Sequence, residues 1–199
     1  MTVATDRRMT LKEYLDYDDG TDTRSELVDG VLVEMGAESP TNVVIGAFLA
    51  SFFGQFLPFY LLHRGTEVQT LGGVMTSRYP DFLVLTEDGW DALEGQSRSL
   101  VTYDMPSPVL VVEVVSPGNE DSENYIRDYK EKPVEYADRR IPEFWQIDPS
   151  RSWVRVGILT DARYQFTTFR GETPIVSQVF PEIEVTAARL LSPVSKQRN

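Results

Sequence analysis

The chain has no cysteine at all and a single histidine, His63. Disulfides and thiolate metal sites are therefore excluded, and one imidazole cannot build a His-rich zinc centre. Positive charge is scarce as well, with 19 Lys and Arg against 31 Asp and Glu and a net charge of −12. Tight non-specific binding to nucleic acid depends on neutralising phosphates, so this balance argues against it unless a local basic patch or a bound cation supplies the charge. The N-terminus MTVATDRRMT lacks the apolar core of a signal peptide. Charge-free runs are few. Residues 43–62 form one long enough to span a bilayer, but Gln55 and Pro58 interrupt it. It reads instead as a buried helix followed by a strand, and a cytoplasmic protein without a membrane segment is expected.

What is present is ordinary for one globular domain: 199 residues, 41% hydrophobic and 25% charged. The expected division is a flexible lead over 1–9, a single domain over 10–192 and a flexible tail over 193–199. Thr10 and Glu13 form a capping box that opens a short helix through LKEYLDY. SELV-DG-VLVEM reads as a hairpin turning at Asp29-Gly30. Pro40, with Ser39 as its cap, suits the first turn of the apolar helix. LLHRG and EVQTL read as short strands before Gly72-Gly73, and DFLVL as a strand followed by a helical turn near TEDGWDAL. The apolar run 109–115 reads as a strand buried on both faces. A charged helix over about 120–138 and the strand EFWQID come next. WVRVGIL, YQFTTFRG and EIEV then read as antiparallel strands, before a final helix. The expected class is mixed α/β, with a central mixed sheet flanked by helices and extra antiparallel strands at the C-terminus.

Two strand-like runs each carry an acid: YPDFLVL contains Asp81, and VLVVEVVSPGNE contains Glu113. A carboxylate in a Val/Leu-rich strand is costly to bury without a cation or donors. Two on neighbouring strands would seat a hard divalent ion. The structural alternative is a pair of strand-end acids that accept backbone N–H bonds or pair with Arg127 or Lys130. Asp128, Lys132 and Tyr136 stand at i, i+4 and i+8, on one helical face. Pro133 directly follows Lys132, so the helix must kink there or restart, and Lys130 is the fallback cation.

The order ELVDG, PD in a strand, VVEVVSPGNE, D-x3-K-x3-Y and PEFWQID resembles a bacterial endonuclease family, here called Uma-two, often labelled a domain of unknown function. The family belongs to the PD-(D/E)XK nuclease superfamily, whose fold is restriction-endonuclease-like. The resemblance runs from about residue 10 to about 190. It implies that Asp81 and Glu113, with the backbone carbonyl of Val114, hold a divalent metal, Mg2+ with Mn2+ as a substitute. Glu26 matches an additional acid that completes the shell directly or through water. Val115 stands where the superfamily places its lysine, and Lys132 on the following helix matches the displaced one. The implied activity is metal-dependent hydrolysis of DNA phosphodiesters by a homodimer. A catalytically inactive interaction module with the nuclease fold, or a metal-dependent hydrolase of a non-nucleic substrate, are the alternatives.

Overall fold

The computed structural model describes residues 8–18, 20, 24–70 and 75–194. Gly72-Gly73 and most of the expected lead and tail lie outside those residues. The chain runs α1 (Leu11–Leu15), β1 (Ser25–Val28), β2 (Val31–Glu34), α2 (Pro40–Phe53), β3 (Leu62–His63), β4 (Glu67–Thr70), β5 (Thr76–Arg78) and β6 (Phe82–Val84). It continues through α3 (Glu87–Leu93), β7 (Leu100–Val101), β8 (Leu110–Val114), α4 (Glu123–Ile126) and α5 (Lys132–Asp138), with a π turn over Arg127–Glu131 joining the last two. β9 (Glu143–Asp148), β10 (Trp153–Thr160), β11 (Arg163–Phe169) and α6 (Ala187–Leu191) complete it.

Local chemistry sets most of these boundaries as the sequence indicates. The Thr10 hydroxyl accepts from the Glu13 backbone and the Glu13 carboxylate accepts from the Thr10 backbone, closing the capping box of α1. Asp29 and Gly30 both take positive φ, 51° and 80°, which turns the β1–β2 hairpin. Ser39 caps α2, with Pro40 in its first turn. A second turn with positive φ, at Asp161 and Ala162, joins β10 to β11.

The strands form two mixed sheets, one ordered β2-β1-β5-β4-β7 and the other β11-β10-β9-β8-β6-β3. The larger sheet carries the main core. Its central strand, β8, is buried along its whole length, between antiparallel β6 and parallel β9. Phe53 of α2 packs against Phe82, Trp145 and Phe180. The smaller sheet has its own cluster of Tyr14, Leu27, Leu32 and Leu100. Among the described residues, no helix is long and apolar enough to cross a membrane. α2 stops at Phe53, five residues before Pro58.

Several expectations change. β5 and β7 are additional strands, both too short to show a period in sequence. EIEV is not a strand; only the bridge Pro174–Thr186 marks that region as extended pairing. The charged helix is also not uniform. Its middle widens into a π turn, which Pro133 helps to explain, because its missing N–H would leave an α-helical ladder one bond short.

Candidate active site

Asp81 sits one residue before β6, and Glu113 lies within β8. The antiparallel register pairs Phe82 with Val112, so one step further places Asp81 opposite Glu113. Both acids line a cleft of about 1160 Å³ that also takes in Glu26, Arg78, Asp128 and Lys132. That volume exceeds the roughly 300–1,000 Å³ of a small-molecule pocket.

Lys132 reaches this cleft from the helix. Its Nζ lies 2.8 Å from Glu113 Oε2 and 3.5 Å from Asp128 Oδ1. Lys132 keeps a helical backbone (φ −52°, ψ −41°) despite the following proline. The π turn thus lets the helix pass Pro133 without aiming the lysine away. Tyr136 donates from its hydroxyl to Glu113 Oε1 at 2.6 Å. Lys130, the alternative cation, is exposed.

The acids differ in their support. Asp81 Oδ2 accepts the Val114 N–H at 2.6 Å, which ties the loop before β6 to β8. Burial pushes the Asp81 carboxyl up to about 6, while the Val114 N–H and Lys132 pull the other way. Burial pushes Glu113 up to about 7, with Lys132 opposing the shift and Asp81 reinforcing it. For Lys132, burial disfavours the ammonium, but Glu113 and Asp128 outweigh it and raise the pKa. Tyr136 is raised well above the usual phenol range, first by burial and then by Glu113. The lysine is therefore a fixed cation and the tyrosine a fixed donor at neutral pH.

Glu26 is held elsewhere in the cleft wall. One oxygen accepts the Tyr79 N–H at 2.9 Å and the other pairs with Arg78 at 3.1 Å. Arg78, 1% exposed, also binds Glu135 through two nitrogens at 2.6 and 2.7 Å. This network joins β1 and β5 of the smaller sheet to α5, the helix that carries Lys132. Asp128 accepts the Ser116 N–H and the Arg127 guanidinium, and so anchors the loop after β8. Gln146, beside Glu113 in register, donates to the Asp128 carbonyl at 2.5 Å.

Sequence reasoning brought Asp81, Glu113 and Lys132 to one cleft and missed Arg78 and Gln146. The signal for Arg78 was only a cation two residues before the PD pair. Gln146 gave a weaker one, a polar residue inside EFWQID. Among the described residues, no group of three or more His, Asp or Glu side chains is arranged as a metal shell. The donor set that does converge, two carboxylates with raised pKa values, is all oxygen and carries negative charge that burial disfavours. Those properties fit a hard divalent cation with water completing its shell.

No curated protein matches the chain. Among solved structures, the chain resembles a protein from Anabaena variabilis titled "a putative nuclease belonging to DUF820", with TM-score 0.69 and 18% identity over 92% of this chain and 98% of that one. At that identity the likeness shows a shared fold. Residues 11–188 match the family described as "Putative restriction endonuclease". The chain therefore belongs to that family, Uma-two (Uma2), as its motif order indicated.

Proposed function

We propose that the protein is a metal-dependent endonuclease that hydrolyses DNA phosphodiesters in the cleft between its two sheets. The observation carrying this reading is the meeting of Asp81, Glu113 and Lys132, which come from the entry to β6, from β8 and from a separate helix. Asp81, Glu113 and the Val114 carbonyl would hold Mg2+, with Mn2+ as a substitute, and Glu26 would support the shell through water. A bound divalent ion in such a site neutralises phosphate charge and lowers the pKa of water.

The chain's own residues supply the rest. Lys132, kept charged by Glu113 and Asp128, places an ammonium where charge develops on a phosphoryl oxygen or where the attacking water must be oriented. Tyr136 fixes Glu113 by its second oxygen, so that this carboxylate cannot rotate out of the cleft. The Val114 N–H does the same for Asp81. The Arg78–Glu135 pair holds α5 against the smaller sheet and so maintains the reach of Lys132. A homodimer would bring two such clefts to the two strands of a duplex.

The test is incubation of supercoiled and linear DNA with Mg2+ or Mn2+. Nicking or cutting by wild type, lost in Asp81→Ala, supports the proposal. Intact DNA in every form, under conditions where the protein binds metal, contradicts it. A single-copy mass by light scattering would remove the homodimer.

A further inference from the structure

The chain is strongly acidic, yet residues 149–171 contain four arginines and only one aspartate. Three of those arginines lie over aromatic rings. Tyr125 and Tyr129 stack on each other with centroids 4.5 Å apart. The Arg151 guanidinium lies 5.1 Å from Tyr125 and 5.6 Å from Tyr129. Arg155 lies 5.4 Å from Tyr129 and 4.1 Å from Phe166. Arg170 lies 4.6 Å from Trp153, whose indole N–H donates to the Tyr129 hydroxyl at 2.9 Å. The result is a ladder of alternating cations and rings. Gly157 makes room for it, since a Cβ there would come within 2.7 Å of the Phe166 ring.

Such a ladder could simply stiffen the β10–β11 hairpin. Its charge balance points further. Arg151 is neutralised by Asp148 at 2.9 Å, but Arg155 and Arg170 have no ion-pair partner among the described residues. Arg155 donates to Gln146 and Arg170 to the Arg151 and Ser152 carbonyls, so neither charge is neutralised by a carboxylate among the described residues. The rungs are half-buried and Arg170 is exposed, so each presents some surface to solvent.

The ladder also touches neighbours of the candidate site, although none of its residues lines the cleft. Arg151 donates to the Gly118 carbonyl at 2.8 Å, in the loop that follows β8. Arg155 donates to Gln146 Oε1 at 3.0 Å, and Gln146 is the register partner of Glu113. Through Gly118 the ladder abuts the loop that borders the cleft at Pro117.

We propose that the Arg–aromatic ladder on β10 and β11 is a landing surface for single-stranded DNA running out of the cleft. Bases stack on the exposed Arg170 guanidinium and the Trp153 indole, and phosphates meet Arg155 and Arg170. Single strands expose the base faces that such a surface needs, whereas a duplex keeps them stacked. This proposal rests on the nuclease reading of the cleft.

The experiment is fluorescence anisotropy of a labelled oligothymidine, 20 nucleotides long, in EDTA across a salt series. Wild type is expected to bind with an affinity that falls as salt rises. Arg155→Gln combined with Arg170→Gln should lower the magnitude of the log–log salt slope by about 1.4, for two lost phosphate contacts. Trp153→Leu should weaken binding roughly fivefold or more and leave that slope unchanged. Circular dichroism confirms folding, and Arg155→Lys with Arg170→Lys provides a variant that keeps the charge and should keep the slope. Absence of salt-dependent binding by wild type would overturn the proposal. Unchanged binding by folded Gln and Leu variants would overturn it too, as would losses confined to a duplex of equal length. Calorimetric metal binding, done without nucleic acid, tests the cleft separately, so a failed ladder and a failed metal site are distinguishable.

Discussion

Lys132 Nζ stands 2.8 Å from Glu113 Oε2 although the two residues lie 19 positions apart, on a helix and a buried strand. The strand position that would carry a lysine in the superfamily holds Val115, which is buried. The ammonium thus enters the cleft from the helix side, and the π turn before Pro133 is what allows it.

Lys132→Met is expected to lower DNA cleavage on the order of 10²–10³-fold at saturating metal, the usual consequence of losing a charge-stabilising donor. Metal affinity should persist, because the carboxylates remain. Single-turnover cleavage together with calorimetry separates the two effects. A variant that retains full cleavage would place Lys132 outside the chemistry.

The two acids tie stability to pH. Unfolded carboxyls titrate near about 4, whereas burial first of all raises Asp81 to about 6 and Glu113 to about 7 in the folded chain. For raised groups the stabilising contribution is complete below the unfolded value and is lost as pH climbs through the folded one. Metal-free protein should therefore lose stability from this pair between about pH 4 and pH 7. A bound cation favours the ionised acids, so the Tm increase from saturating Mn2+ should be larger at pH 8 than at pH 5.5. Differential scanning fluorimetry at both values checks this, and equal shifts would count against it.

Tyr136→Phe removes the hydroxyl bond to Glu113 and leaves the ring in place. The expected cost is about 1.5–3 kcal/mol, the range for a hydrogen bond to a charged group. The half-point for Mn2+ binding should also move to higher pH, since Glu113 loses a donor to its charged form. Urea unfolding and a pH series of metal titrations report the two effects.

Arg78→Met leaves Glu135 and Glu26 without their shared cation. Removing one partner of a buried ion pair typically costs about 3–5 kcal/mol. The network spans both sheets and α5, so the loss should appear as a lower urea midpoint. Replacement of Glu131, whose contact with Arg78 is longer at 3.4 Å and half exposed, should cost less than about 1 kcal/mol.

Much of this was legible in the chain. Asp81 and Glu113 stood out because a carboxylate in an apolar strand demands an explanation. Thr10, Ser39 and Asp29-Gly30 marked their elements through capping and turn chemistry that acts over only a few residues. β5 and β7 were not legible, since strands of three and two residues carry no period and owe their place to neighbouring strands. EIEV misled because alternating acids and apolar residues suit an edge strand, yet here no continuous partner pairs with it. Arg78 was missed for a different reason. Its meaning lies in Glu26 and Glu135, residues 52 and 57 positions away, and sequence spacing does not reveal that convergence.

Asp81 and Glu113 are proposed to form a divalent-metal site, and isothermal titration of Mn2+ and Mg2+ is the sharpest test of that pairing. Wild type is expected to bind at neutral pH, and Asp81→Ala combined with Glu113→Ala, still folded by circular dichroism, to show no binding. Equal binding by that variant, or none by wild type with or without a non-cleavable DNA to complete the site, would make the two acids purely structural and contradict the account.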